Sequence, residues 1–239
     1  MHAIAIAREY GSGGGEIARR LAARLGWQLL DHDIVAQAAE RLGLTAGEAD
    51  TLDEHGEGFW GRLLVRMEYS VPGGATPQPL INPEDPEQEF QAAVRRLVEQ
   101  AAATGRVVIV GRGSPVVLAE RRDVLRVKIV APLSARLAYV THREGLSEAQ
   151  AAARIRQKEQ ERQRALRHAY GDRCDDAYLY DLVVNTGALP LDSAVALIVA
   201  ALADKGRQLG APAAARGPLA GLAPYPTPPA DFGPAGQPA

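Results

Sequence analysis

Cysteine is nearly absent from this chain of 239 residues, which contains only Cys174. A single cysteine cannot form an internal disulfide, and it leaves no set of thiolates for a structural metal site. No spacing of His, Cys and Asp is typical of zinc ligands either, so the sequence predicts no zinc site. The low cysteine count favours a reducing compartment.

Long apolar runs are also lacking. No run approaches the roughly 18 residues that a membrane-spanning helix needs, and the chain begins in a strand-like segment without a basic and then apolar signal pattern. We therefore expect a cytoplasmic protein with no membrane partner. The net charge of −2, from 27 basic and 29 acidic residues, argues against a protein that coats nucleic acid.

Lysine is scarce, since only Lys128, Lys158 and Lys205 stand among the basic residues. An arginine-based surface favours planar, bidentate recognition of phosphate or carboxylate groups, although a compositional bias towards arginine explains the excess equally well. No lysine lies near the N-terminus, so the common phosphate-binding motif G-x-x-x-x-G-K-[ST] is absent. An RNA-contacting module that uses the arginine-rich helix predicted at 147–169 is the weakest of our functional hypotheses.

A glycine-rich segment nonetheless follows the first apolar run. Residues 11–15 read GSGGG, and we call them the glycine loop; an apolar run at 4–6 precedes them and a helical pattern at 17–22 follows. Strand, glycine loop and helix together form a phosphate cradle, because backbone N–H groups can turn towards an anion and a helix N-terminus adds positive charge. A plain strand-to-helix turn is the alternative, but its run of glycines would be entropically costly.

Strand and helix patterns alternate along the chain. Strands are predicted at 2–7, 27–31, 107–110, 125–130 and 180–186, and the main helices at 15–25, about 86–103, 134–143, 147–169 and 191–202. This order predicts an α/β fold in which a parallel sheet has helices on both faces. Ligands of such sheets bind beyond the carboxyl ends of the strands, where the glycine loop, the turn at 111–113 and residues 185–186 are expected.

Helix ends are marked by local signals. Ser147 and Gln150 have the spacing of a capping box, which predicts the start of the long helix, and Ser134 is predicted to cap the helix before it. Beyond Gly206 the composition changes to glycine, proline and alanine without periodicity. The sequence therefore predicts a disordered tail over 206–239.

Four segments in order resemble one protein family. They are residues 8–14 (REYGSGG), 108–112 (VIVGR), 161–162 (ER) and 180–186 (YDLVVNT). This order resembles the cytidylate kinase-like family of P-loop nucleoside monophosphate kinases over about 1–203. The resemblance implies a three-layer P-loop NTPase fold, with a kinase-like domain at 1–205, an acceptor-binding insertion at about 34–100 and a lid at about 144–172.

The resemblance also implies an activity. Members transfer the γ-phosphoryl group of ATP, with Mg²⁺, to CMP or a related nucleoside monophosphate, so small-molecule nucleotides are the expected partners and the oligomeric state stays open. Catalysis of such a transfer is mainly positioning and charge stabilisation. A non-catalytic nucleotide-binding or regulatory protein on the same fold is the alternative, because the loop lysine is missing.

Site residues carried over from the family divide into three groups. Arg112, Arg162 and Arg164 are expected to act in catalysis, while Asp31 and Arg112 are expected to bind the acceptor. The usual lysine falls on Gly14, and an arginine that the family carries falls on Gly15, so the cation must come from Arg8, Arg19, the lid or nowhere. The residues assigned to ATP are Arg8, Gly11, Ser12, Gly13, Gly14, Gly15 and Glu16.

Overall fold

The structure is a computed structural model that describes residues 1–31 and 86–212. Most of the predicted acceptor-binding insertion, and the predicted tail beyond residue 212, lie outside the described residues. The strands are β1 (Ala3–Arg8), β2 (Gln28–Asp31), β3 (Val107–Val110), β4 (Val124–Val130) and β5 (Leu182–Asn185). The helices are α1 (Gly14–Leu25), α2 (Pro86–Thr104), α3 (Ser114–Val117), α4 (Leu133–Glu144), α5 (Glu148–Tyr170) and α6 (Leu191–Gln208).

The five strands form one parallel sheet in the order β2-β3-β1-β4-β5. Ile6 of the central strand β1 pairs with Val110 on one side and Val127 on the other, and Asp31 pairs with Val110 from β2. Because all strands run the same way, their carboxyl ends meet at one edge. The glycine loop, the turn at 111–113 and the residues after β5 share that edge.

The sheet is covered on both faces, which confirms the predicted α/β architecture. On one face α1 and α6 pack against β1, where Ile4 and Ile6 are fully buried. On the other face α2 and α3 cover Ala3 and Ala5, which are also fully buried. The alternation along β1 thus assigns large side chains to one layer of helices and small ones to the other. The principal helical contacts are Ile17, Leu21 and Ile198 on the first face and Val98, Ala102 and Leu118 on the second.

Two helix boundaries differ from their predictions. Helix α4 begins at Leu133 with Pro132 at its N-cap, so the predicted cap by Ser134 is wrong and this serine lies inside the first turn. The C-terminal helix α6 continues to Gln208 instead of ending at residue 202. Lys205 explains the extension, because its Nζ donates to the Val124 carbonyl at 2.8 Å and fastens the last turns to the sheet.

Candidate functional site

The glycine loop joins β1 to α1 at the carboxyl edge of the sheet. Gly11 and Gly13 have φ values of 81° and 75°, which side chains rarely adopt. Ser12 is 2% exposed, and its hydroxyl donates to the Glu9 carbonyl at 2.8 Å. The Thr186 hydroxyl, just after β5, donates to the Ser12 carbonyl at 2.8 Å. These hydrogen bonds hold the loop from within and from the segment that follows β5.

The first turn of α1 provides backbone donors beside this loop. Gly13 is the N-cap residue of α1, and the Ile17 N–H donates to its carbonyl at 3.0 Å. N–H groups before that point have no acceptor within a helix, and they carry partial positive charge. Among the described residues, a Cβ built on Gly15 would meet one atom within 4 Å, Asp31 Oδ2 at 3.8 Å. Over the residues that the structure describes, this side of the turn is open, and the backbone N–H groups of the turn suit a bound anion.

Arg8, the last residue of β1, reaches across the edge of the sheet. Its Nη2 lies 3.1 Å from Asp31 Oδ1 at the end of β2, and the two side chains are 13% and 7% exposed. Strand β3 lies between these two strands, and a Cβ built on Gly111, just after β3, would lie 3.2 Å from Arg8 Nη1. A residue predicted to bind ATP and one predicted to bind the acceptor thus form a single ion pair.

The turn after β3 has an unusual backbone. Gly111, Arg112 and Gly113 have φ values of 76°, 55° and 63°, and a positive φ is uncommon for a residue such as arginine. A Cβ built on Gly113 would overlap the ring of Tyr170, the last residue of α5, whose hydroxyl lies 3.5 Å from the Arg112 carbonyl. Helix α5 therefore ends directly on this turn. Strained backbone held by its surroundings is typical of functional sites.

Helix α5, which includes most of the predicted lid, also contacts the residues just before the glycine loop. Arg162 Nη1 donates to the Arg8 carbonyl, and Glu159 Oε1 accepts a hydrogen bond from the Tyr10 N–H at 3.3 Å. Glu159 and Arg162 are three residues apart and share one face of the helix. Arg164 is exposed. Of the predicted catalytic arginines on α5, the structure brings Arg162 to the loop and leaves Arg164 in solvent.

A buried arginine that sequence reasoning missed lies at the same junction. Arg136 of α4 is 9% exposed; its Nη1 lies 2.8 Å from Glu159 Oε1, and its Nε lies 3.7 Å from Glu9 Oε2. Glu9 also accepts a hydrogen bond from the Ala131 N–H at 2.8 Å. These contacts join β1, the segment after β4, and helices α4 and α5. The sequence signal that could have identified Arg136 is its position in the first turn of the helix that follows β4.

The carboxylate of Glu16, a residue predicted to bind ATP, forms ion pairs with arginine side chains. Arg20 Nε donates to its carboxylate at 3.0 Å and Arg19 Nη1 at 2.8 Å. The hydrogen bond from Arg20, with the charges of neighbouring arginines, holds the pKa of Glu16 below its usual value. Arg20 also donates to Asp192 Oδ1 of α6 at 2.6 Å. Arg20 thus links the Glu16 carboxylate to α6, whereas the contact of Arg19 with Glu16 stays within α1.

In the part of the chain that the structure describes, no group of three or more His, Cys, Asp or Glu side chains could hold a metal ion. Over the same residues, none of the helices combines the length and apolar character needed to cross a bilayer. The Asp31 carboxylate lies beside the first turn of α1, with Oδ2 3.8 Å from the Cβ position of Gly15.

Comparison with known proteins agrees with this arrangement. A family model described as the cytidylate kinase-like family matches residues 3–188. A solved structure of an uncharacterized protein from Eubacterium ventriosum superposes with a TM-score of 0.60 at 18% sequence identity, covering 85% of this chain and 99% of that one. At that identity the likeness concerns the fold alone.

Two curated cytidylate kinases are similar to this chain in sequence. A cytidylate kinase of Pyrococcus horikoshii is 32% identical over 114 residues, which are 48% of this chain and 58% of the relative. The match thus spans little more than half of that enzyme. A cytidylate kinase of Ignicoccus hospitalis is 26% identical over 199 residues, covering 83% of this chain and 97% of the relative.

Proposed function

Since this chain belongs to the cytidylate kinase-like family, we propose that it is a kinase that transfers the γ-phosphoryl group of ATP to CMP or a related nucleoside monophosphate. The observation that supports the proposal most is the glycine loop. Its backbone is held by Ser12 and Thr186, it opens into a helix N-terminus, and it stands at the central strand of a parallel sheet. That is where such folds bind phosphates.

ATP would be held mainly by backbone. The donor phosphates would accept hydrogen bonds from N–H groups of the glycine loop and of the first turn of α1, with Arg8 beside them. Mg²⁺ prefers oxygen ligands and keeps several waters. The Asp31 carboxylate, which lies near Gly15 in the first turn of α1, could hold this ion directly or through a water. The ion would neutralise charge on the phosphates.

The acceptor would lie across the carboxyl edge from the donor. Arg112, on the strained turn after β3, and Asp31, at the end of β2, lie on that side of the loop. Arg162 and Arg164 would come from α5, where arginines can close over the phosphates and exclude water. In the present arrangement Arg162 is already at the loop through the Arg8 carbonyl.

A panel of nucleoside monophosphates tests the proposal. The full chain is incubated with ATP, Mg²⁺ and each acceptor, and ADP formation is followed with a coupled assay. We expect one acceptor, CMP or a close relative, to raise the rate far above that with ATP alone. A protein that binds ATP and turns over with none of the acceptors would contradict the kinase function.

A pair of variants on α5 then tests the arginine assignment. Arg162→Ala should lower kcat by about 10²-fold or more, as loss of a charge-stabilising donor does. Gln163→Ala, at an exposed neighbouring position, should retain the wild-type rate. Thermal unfolding of both variants checks that the fold is intact.

A non-catalytic nucleotide-binding protein is the second candidate. Residue 14 offers no lysine, and its surroundings are filled by Arg8, which favours a loop that holds a nucleotide without moving a phosphoryl group. Stabilisation of the chain by ATP, measured as a rise in Tm, without turnover of any acceptor would support this candidate.

A further inference from the structure

Residue 14, the lysine position of the motif G-x-x-x-x-G-K-[ST], is filled by a side chain from strand β1. A Cβ built on Gly14 would lie 2.8 Å from Arg8 Cβ, 3.0 Å from Cδ and 3.4 Å from Cγ. Gly14 is not among the glycines with positive φ, so its backbone does not demand glycine. The absence of a side chain at 14 is therefore explained by space, which the stem of Arg8 occupies.

The guanidinium group of Arg8 lies at the edge of the sheet where a cation could bind a phosphate. Arg8 Nη1 is 3.2 Å from the Cβ position of Gly111, after β3, and Nη2 is 3.1 Å from Asp31, after β2. In the strand order β2-β3-β1-β4-β5, the connection from β1 runs towards β2, whereas the connection from β3 runs in the opposite direction, towards β4. The direction of the connections therefore reverses between the neighbouring strands β1 and β3. Ligands of open parallel sheets bind at such a reversal.

We propose that Arg8 and Gly14 have exchanged roles, so that Arg8 supplies from β1 the phosphate-binding cation that the motif places at residue 14 on the helix. The inference rests on the proposed function and names the residue that bears the charge. A guanidinium has five N–H donors in a rigid fork. Arg8 can therefore hold Asp31 with one nitrogen and donate to a phosphate oxygen with another.

A purely structural pair would behave differently. If Arg8 and Asp31 only brace the edge of the sheet, removal of either charge breaks the same contact and should weaken phosphate binding equally. If Arg8 is the cation, loss of the Asp31 charge leaves it fully available and removes a repelling carboxylate. Arg8→Gln then weakens the binding of metal-free phosphate, whereas Asp31→Asn does not.

Calorimetric titration of the full chain separates these cases. The probes are ATP with Mg²⁺, and inorganic tripolyphosphate without Mg²⁺, which isolates the phosphate contribution from those of the nucleoside and of the metal ion that Asp31 would hold. We expect Arg8→Gln to raise the Kd of both probes about tenfold or more, which is the effect of losing a hydrogen bond to a charged group. Asp31→Asn should bind tripolyphosphate at least as tightly as wild type.

The exchanged variant is the sharpest test. The double variant Arg8→Gly with Gly14→Lys recreates the spacing G-x-x-x-x-G-K and empties the space that the lysine needs. We expect its Kd for ATP to return to within about threefold of wild type, whereas Arg8→Gly alone should bind about tenfold more weakly. Circular dichroism and thermal unfolding establish that each variant is folded.

Each outcome decides between the two roles. Equal losses of tripolyphosphate affinity in Arg8→Gln and Asp31→Asn, or wild-type affinity in folded Arg8→Gln, would overturn the exchange while leaving the kinase proposal intact. If wild type binds neither probe, the proposed function fails and this inference fails with it. Should Arg8→Gln not fold, the double variant and Asp31→Asn decide alone: recovery by the first and undiminished binding by the second support the exchange, and the opposite results refute it.

Discussion

At the scale of single residues, glycines of this fold are required for different physical reasons. Gly26, which ends α1, has φ of 62° and nothing within 4 Å of a built Cβ among the described residues, so only its backbone conformation calls for glycine. Gly113 has nearly the same φ, 63°, but its Cβ position is overlapped by the Tyr170 ring. The two residues therefore separate backbone strain from close packing.

Alanine at these two glycines should have unequal effects. Gly26→Ala should lower the free energy of unfolding by about 1–2 kcal/mol, the cost of a left-handed conformation for a residue with a Cβ. Gly113→Ala adds an overlap with Tyr170, and overpacking costs a further 1–3 kcal/mol or so. Urea unfolding curves measure both changes. In a Tyr170→Ala background the extra loss at Gly113 should disappear, and equal losses in the wild-type background would contradict the packing argument.

At the scale of elements, the starts of α4 and α5 show which helix boundaries can be predicted from neighbouring residues alone. Ser147 accepts a hydrogen bond from the Gln150 N–H, and the Gln150 side chain accepts one from the Ser147 N–H at 3.0 Å, so the predicted capping box of α5 is confirmed. Ser134, predicted as the cap of α4, lies inside that helix after Pro132. Both serines are exposed and stand near helix starts, which makes them a matched pair.

Alanine at the two serines should distinguish a cap from a bystander. Ser147→Ala should lower the free energy of unfolding by about 1 kcal/mol, because the cap hydrogen bond to the first turn is lost. Ser134→Ala should change it by no more than about 0.5 kcal/mol, as is usual for exposed positions. Chemical denaturation with both variants checks the difference. A loss at Ser134 equal to that at Ser147 would show that the assigned cap is not what stabilises α5.

The same contrast explains what sequence reasoning could and could not foresee. Parallel strands, most helix ranges and the capping box follow from periodicity and neighbouring residues, and all were found. The contact of Glu159 with Tyr10 joins residues 149 positions apart, and the Arg8–Asp31 pair depends on β3 lying between β1 and β2. No local pattern encodes such meetings. The sequence motifs place Arg8 near a phosphate site, but they cannot reveal that its stem fills the space at Gly14.

At the scale of the whole molecule, the two edges of the sheet have different tasks. The carboxyl edge bears the glycine loop, while an ion cluster ties β4, β5 and α6 together at the other. Asp181 Oδ1 lies 3.0 Å from Arg126 Nη2, and its second oxygen accepts from Lys205 Nζ. Burial alone would raise the pKa of Asp181, but hydrogen bonds from Arg126 and Lys205 outweigh it and hold that pKa below its usual value.

The cluster makes stability depend on pH in a stated direction. Because the pKa of Asp181 is lower in the folded chain than its ordinary value of 3.8, its stabilisation is present above that pH and is lost as pH falls through the folded-state pKa. At pH 7, Asp181→Asn should cost about 1–2 kcal/mol, less than a fully buried pair, because the site is partly exposed. The difference from wild type should shrink below about pH 4.

A control on α6 keeps this prediction specific. Asp204 forms an exposed ion pair with Arg207 at 2.9 Å, so Asp204→Asn should change stability little at any pH. Denaturant unfolding of the three proteins between pH 3 and 7 gives the comparison. A gap between Asp181→Asn and wild type that stays constant down to the lowest pH would contradict the assigned role of this carboxylate.

We propose that a loop without its usual lysine still moves a phosphoryl group to a nucleotide. The most direct test is to incubate the chain with ATP, Mg²⁺ and CMP, or the best acceptor of the panel, and to quantify all nucleotides by chromatography. We expect one nucleoside diphosphate of the acceptor to form for each ATP that is consumed. ADP that accumulates without phosphorylated acceptor, or ATP that is bound and never consumed, would contradict it.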